Sequence, residues 1–260
     1  MIISLENKNA FVCGSSQGIG KAIALQMAKA GANVTITARN VDKLKKTLLE
    51  LDTSRGQHDY VVADFSLPGE AMESIKQHTA GKAFQILVNN SGGPAPGLAH
   101  EDDPDKYISA FKQHIVMNQN LLKHFLPGMK EANFGRIINV ISISVKEPVE
   151  NLGVSNTIRG AVNSWSKTIS RELGPFGITV NNLLPGHTKT ERLDNLMNNK
   201  AQASEKSFEQ VQSEMQARIP AGRFVKPEEL GYAAVFFASE YASMISGQNL
   251  AIDGAYLRSL

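Results

Sequence analysis

A single cysteine, Cys13, is all the thiol this chain of 260 residues has. No internal disulfide can form, and a metal centre built on several cysteines is excluded. Cys13 ends the apolar stretch Ala-Phe-Val-Cys at 10–13, which marks a buried, chemically quiet thiol. The six histidines show no ligand spacing and His-Glu-x-x-His is absent, so no metal site is expected. No stretch approaches 18 continuous apolar residues, and the N-terminus lacks a basic segment followed by an apolar run. A soluble, cytoplasmic protein without a membrane partner is the expectation. Excess charge is missing too: 27 Lys and Arg against 25 Asp and Glu leave a net charge of +2. With no aromatic-plus-basic strand pattern for base readout, no nucleic-acid partner is expected. Long linkers, internal repeats and low-complexity segments are also lacking, so 1–260 reads as one domain.

What is present is a regular alternation. Apolar and β-branched runs predict strands over 10–13, 33–38, 60–63, 84–89, 136–141, 179–184 and 249–252. Helical patterns fall between them at 18–30, 41–51, about 69–79, 105–129, about 155–173 and 227–239, the last with Pro227 in its first turn. This rhythm predicts an α/β fold, a doubly wound parallel sheet with helices on both faces. Residues 187–218 break the pattern: they are polar, methionine-containing and mostly helical, with little of the apolar density of a core element. They read either as a partly mobile cover over a cleft or as a plain surface excursion.

Residues 9–20, Asn-Ala-Phe-Val-Cys-Gly-Ser-Ser-Gln-Gly-Ile-Gly, carry a strand into a glycine-rich turn and then a helix. Gly14, Gly18 and Gly20 permit a tight turn, close backbone approach to a pyrophosphate and close helix–strand contact. Ser16, Gln17 and Ile19 complete the turn, whose unpaired N–H groups would face an anion with the positive end of the helix dipole. Ser16 lies in this turn and not in a hydrolase-type nucleophile elbow. A Rossmann-type dinucleotide site follows.

The second strand ends Thr37-Ala38-Arg39, and no carboxylate occurs until Asp42. A site selective for NAD(H) usually needs an acid there for the adenosine ribose. Arg39 can instead pair bidentately with a ribose 2′-phosphate. NADP(H) is therefore preferred, NAD(H) remains possible, and a solvent-facing Arg39 is the plain alternative. Asp64, just past the third strand, is placed to accept from the adenine amino group, with Phe65 offering a backbone contact. A sharp turn through Asn90, Ser91 and Gly92 would pass beneath the adenosine ribose, a simple chain reversal being the alternative.

Taken together, Gly14-Ser15-Ser16-Gln17-Gly18-Ile19-Gly20, Asp64, Asn89-Asn90-Ser91-Gly92, the segment Gly135 to Ser142, Val180-Asn181-Asn182-Leu183-Leu184-Pro185-Gly186 and the ending Gly247-Gln248 to Asp253-Gly254 form one pattern. It resembles the short-chain dehydrogenase/reductase family, particularly its 3-oxoacyl-carrier-protein reductase-like members, over nearly the whole chain. The resemblance implies a seven-stranded parallel sheet, a nicotinamide cofactor, a small or acyl-linked oxo substrate and usually a homotetramer. It also implies that Gly186 and Thr188 lie near the nicotinamide and pyrophosphate, with residues around 187–218 covering the substrate.

The family's chemistry depends on a serine, a tyrosine and a lysine, supported by an asparagine in the long helix. Ser142 matches the serine, but Ser155 stands where the tyrosine is expected and Arg159 where the lysine is expected. His114 occupies the supporting position, with Asn118 one turn further on. No tyrosine lies between Tyr107 and Tyr232, so sliding the register restores nothing. A serine hydroxyl is a far poorer proton donor than a phenol with its reference pKa of about 10, and arginine cannot serve as a reversible acid. Losing a well-placed general acid lowers a rate by about 10²–10⁴. Hydride transfer stays open, because the cofactor carries the hydride.

Gly92-Gly93-Pro94, Lys146-x-Pro148 and Ser155-Asn156-x-x-Arg159 resemble a divergent subgroup of the same family that lacks the Tyr/Lys pair. That resemblance favours Ser155, Asn156 and Arg159 as a used site; with Ser142 from the family match and His114 and Lys146 as remaining proton sources, the candidate catalytic set is Ser142, Ser155, Arg159, His114 and Lys146. Ser142 is expected to polarise a carbonyl oxygen and Arg159 to position a ribose. The proton is expected from His114, Lys146 or an ordered water passed along Ser155. Each has a plain alternative: Ser155 as a helix cap, Arg159 paired with Glu147 or Glu150, His114 structural, Lys146 simply exposed. An oxidoreductase is the favoured activity. A cofactor-binding sensor or scaffold with little turnover is the second reading, and a cofactor-dependent dehydration or epimerisation the third.

Overall fold

The computed structural model describes residues 2–259. Seven strands, β1 (Asn9–Cys13), β2 (Asn33–Ala38), β3 (His58–Val62), β4 (Ile86–Asn89), β5 (Gly135–Val140), β6 (Ile178–Pro185) and β7 (Asn249–Ile252), form one sheet in the order β3-β2-β1-β4-β5-β6-β7. Every pairing is parallel. All strand carboxyl ends therefore share one edge, and the order reverses between β1 and β4, where doubly wound sheets bind ligands. The seven-stranded parallel fold is the one expected.

The sheet is covered on both faces because its strands are apolar on both. β1 alternates: Ala10 and Val12 face α1 (Gly18–Lys29) and α9 (Pro227–Ala238), meeting Ile23, Met27 and Leu230. Phe11 and Cys13 face the other way, toward α3 (Pro68–His78) and α5 (Met117–Glu131), meeting Met72, Ile75, Leu121 and Phe125. The Phe11, Phe84 and Phe125 rings pack at centroid distances of 4.9 to 5.8 Å. Beside β2, α2 spans Val41–Glu50, and α6 spans Gly153–Leu173.

Two expectations need correction. The helix expected over 105–129 is not uniform: α4 (Pro104–Phe111) passes through a π-helical turn, Lys112–Val116, before α5. Such turns insert a residue and re-aim side chains, here His114. The segment 187–218 is also not poor in core. Its helices α7 (Glu191–Ser204) and α8 (Phe208–Ala217) bury Leu193, Met197, Ala201, Val211 and Met215 with Ile219 and Phe224. Leu193, Met197 and Ala201 recur every fourth residue, so one narrow stripe suffices in an otherwise polar helix.

A buried polar row crosses the sheet just below its functional edge. Asn89, Asn139, Asn182 and Asn249 are register partners on β4 to β7. Each amide donates to the next side-chain oxygen, at 2.8, 2.9 and 2.8 Å. The row leaves Asn89 Oδ1 as its free end, buried and without a partner. Among the described residues no helix is long and apolar enough to cross a membrane, and no cluster of His, Cys, Asp and Glu could hold a metal ion.

Candidate active site

The turn after β1 has the shape an anion needs. Gly14 and Gly18 both adopt φ of +57°, in the left-handed region that favours glycine. A methyl group on Gly20 would collide with the Gly14 carbonyl and lie 2.6 Å from Asn90 Nδ2. The first turn of α1 has no side-chain cap from Gln17 and no acidic residue, so its N–H groups remain free for an anionic ligand. A dinucleotide pyrophosphate fits this cradle. Ser15 ties the turn to β2, a role its place in the motif does not reveal: its Oγ donates to Val12 O at 2.8 Å and accepts from Thr37 N at 2.9 Å. Ser16 O accepts from Thr47 Oγ1, Gln17 Oε1 accepts from Lys43 Nζ, and Ile19 packs against the core.

Asn90 acts on the turn itself, donating to Cys13 O and Gly14 O at 3.2 Å each. Arg39 is exposed just past β2, and Asp42 is carried into α2, so no carboxylate stands at that strand end. Asp64 Oδ1 accepts from Ser66 N and Ser66 Oγ, which hold the carboxyl below its usual range, with the Arg39 charge adding to them. The Phe65 side chain belongs to the core. Gly186 donates to Ile252 O at 2.9 Å, and a methyl there would lie 2.7 Å from Asp253, so packing alone demands glycine. Thr188 is buried and donates to Gly186 O. The start of α7 leans over the glycine turn: Thr190 Cγ2 sits 3.3 Å from where a Gly18 methyl would be.

On the other side of the sheet's reversal, Ser142 lies two residues past the end of β5, half-buried. Its Oγ accepts from Ser144 N at 3.0 Å, which leaves the hydroxyl hydrogen free to donate. Lys146 closes the following 3₁₀ turn, Ile143–Val145, half-buried and without a side-chain partner among the described residues. Ser155 is not a helix cap. α6 starts two residues earlier than expected, Leu152 holds the cap position, and Ser155 lies buried inside the first turn. Asn156 bridges back to Val149, donating to its carbonyl at 2.8 Å, and so fastens the loop rather than the cleft.

Arg159, one turn beyond Ser155, is buried and donates from Nη1 to Val140 O at 3.0 Å. It does not pair with Glu147, which instead accepts from Arg258 N and Ser259 N. Burial, with a smaller push from the Arg192 charge, brings its pKa down to about 10, still charged at neutral pH.

The surroundings of His114 argue against it as the proton donor. Burial first, then the Arg159 and Arg192 charges, push its pKa down to about 2, which favours the neutral ring at neutral pH. Its Nδ1 lies 2.9 Å from Ser91 Oγ, and its buried Nε2 has no partner. It lines a polar cavity of about 10 Å³, one water molecule in size, with Asn89, Ser91, Asn118 and Arg159. Gly92 has open space around it. Arg192 was not legible beforehand: its guanidinium donates to Gly93 O at 2.9 Å and Pro94 O at 3.1 Å, a contact only the placement of α7 creates.

A doubly wound sheet whose first strand runs into an uncapped glycine turn, with a serine just past β5 and an arginine reaching from α6 to the end of that strand, defines a dinucleotide-binding α/β protein. The chain belongs to the short-chain dehydrogenase/reductase family: residues 14–256 match the family model described as enoyl-(acyl carrier protein) reductase. It is 32% identical to NADPH-dependent reductase BacG of Bacillus subtilis (strain 168), over 98% of this chain and 100% of that one. Identity is 31% to the 3-oxoacyl-[acyl-carrier-protein] reductase FabG of Rickettsia prowazekii (strain Madrid E), covering 98% and 99%. The crystal structure of L-sorbose reductase from Gluconobacter frateurii, complexed with NADPH and L-sorbose, superposes with a TM-score of 0.93 at 28% identity, covering 100% of both chains.

Proposed function

We propose that the chain is an NADP(H)-dependent oxidoreductase interconverting a ketone and an alcohol on a small or acyl-linked oxo compound. The observation that carries this reading is Ser142: it accepts from Ser144 N and keeps its own O–H free, at the strand edge that also holds the glycine turn. NADP(H) over NAD(H) is supported by the exposed Arg39 and the missing carboxylate at the end of β2. The NADPH dependence of BacG and the NADPH in the L-sorbose reductase complex support it further. The backbone of Gly14, Ser16, Gln17, Gly18, Ile19 and Gly20 would hold the pyrophosphate. Asp64, Phe65, Asn90, Ser91 and Gly92 would border the adenosine, with Gly186 and Thr188 toward the nicotinamide. When bound, the dinucleotide supplies the hydride.

Ser142 donates to the carbonyl oxygen of the substrate. Arg159, charged and already oriented by Val140 O, stabilises negative charge in the cleft or holds ribose hydroxyls. The proton comes from Lys146 or from a water passed along Ser155. Neutral His114 orients Ser91 instead. A homotetramer, carried over from the family resemblance, completes the reading and is tested by light scattering.

The test is NADPH consumption with a panel of oxo compounds. Ser142→Ala should lower turnover by about 10²–10³ with NADPH affinity unchanged. Saturable NADPH binding without turnover on any compound would favour the second reading, a cofactor-binding sensor or scaffold. The replacement of tyrosine and lysine by Ser155 and Arg159 is the observation on that side.

A further inference from the structure

Arg159 brings a positive charge into a cleft with no acid to meet it. The side chain is 9% exposed, and among the described residues Val140 O is the one hydrogen-bond partner recorded for its five donors. Neither Arg159 nor Arg192 joins an ion pair among the described residues. The charged neighbour that acts on Arg159 is a second cation, Arg192, and both act on the same His114. A buried guanidinium without a counter-anion is expensive, and its planar fork matches a carboxylate.

The geometry ties the two arginines to one place. Arg192 remains exposed on α7, but its guanidinium is anchored on Gly93 O and Pro94 O, and a methyl on Gly93 would lie 2.7 Å from its Nη1. Two residues before Gly93, Ser91 Oγ meets His114, and His114 and Arg159 line the same small cavity. On the proposed reading the dinucleotide phosphates would have partners elsewhere: the N–H groups of the glycine turn for the pyrophosphate and Arg39 for a 2′-phosphate. Arg159 stands on the β5–α6 side, its guanidinium on the carbonyl of Val140, two residues before Ser142.

We propose that Arg159 and Arg192 seat a carboxylate carried by the oxo substrate, so that the substrate class is a small oxo acid and not a neutral ketone or an acyl thioester. This deepens the proposed function and depends on it for the oxo group; the seat itself is a matter of binding. It is therefore tested without turnover, on protein saturated with NADP⁺. Calorimetry compares phenylpyruvate with its methyl ester, and acetoacetate with its ethyl ester, in the wild type, Arg192→Gln and Arg159→Lys.

Each acid should bind at least about tenfold more tightly than its ester. Arg192→Gln, a change on an exposed helix face that leaves folding intact, should erase most of that ratio while NADP⁺ affinity stays within about twofold. Arg159→Lys, which keeps the charge and loses the fork, should reduce the ratio less. Equal binding of acid and ester by the wild type, or no binding of either acid at millimolar concentration, overturns the seat. So does a loss of NADP⁺ affinity in Arg192→Gln with the ratio unchanged, because the anion would then be a cofactor phosphate. Failure of the oxidoreductase reading looks different: the acids would still bind preferentially, but none would be reduced when NADPH replaces NADP⁺.

Discussion

Lowering the pH should expose how strongly the fold insists on a neutral His114. Burial, the Arg159 charge and the Arg192 charge push this imidazole from 6.5 to about 2. Between those values the unfolded chain takes up a proton that the folded chain refuses. Stability therefore rises with pH across the window: the contribution is fully present above 6.5 and is lost as the pH falls toward about 2. Linkage gives a loss of about 1.4 kcal/mol at pH 5.5 and about 2.7 kcal/mol at pH 4.5. Other groups tilt the same way. His124 and His187 are lowered chiefly by burial, and Glu229, held at about 2 by Arg223, adds its share below the ordinary carboxylate range. The difference between wild type and His114→Asn isolates the one imidazole. In urea unfolding at about pH 7.5 and about pH 5.5, the wild type should lose about 1.4 kcal/mol more than the variant. Equal losses would refute the burial argument.

Three further outcomes follow from the same geometry. Asn139→Ala, at the centre of the asparagine row, orphans the buried Asn89 amide and the Asn182 carbonyl; chemical denaturation should register a loss of about 2–5 kcal/mol. Gly20→Ala drives a methyl into the Gly14 carbonyl and should weaken NADPH binding, followed by its fluorescence, by at least about tenfold. Arg39→Asp should reverse the coenzyme preference in fluorescence titrations, NADPH losing about tenfold or more while NADH gains.

The fold was legible because each strand and helix announces itself locally. β2 and β7 fall on the expected residues, and the βαβ alternation alone requires a parallel sheet. The glycine turn was legible for the same reason: a tight turn needs glycine wherever it occurs. What escaped depends on neighbours distant in sequence. The π-helical turn at Lys112–Val116 has no distinctive composition, yet it settles where His114 points. The asparagines of the row were visible, but only strand register aligns Asn89, Asn139, Asn182 and Asn249. Arg192 lies 99 residues from the carbonyl it grips on Gly93. Ser155 looked like a cap because a Ser/Asn-rich lead-in suits one, while the chain enters α6 earlier, at Gly153, whose added methyl would strike Ala99.

The proposed hydride transfer has to proceed without the usual phenol. Its most direct measurement is isotope transfer: NADPH carrying deuterium on one face of nicotinamide C4, incubated with the protein and an oxo acid, followed by mass spectrometry of the alcohol. One deuterium should reach the carbinol carbon from one labelled face, none from the other, and little from either with Ser142→Ala. Protein that binds NADPH yet leaves every product unlabelled would contradict it.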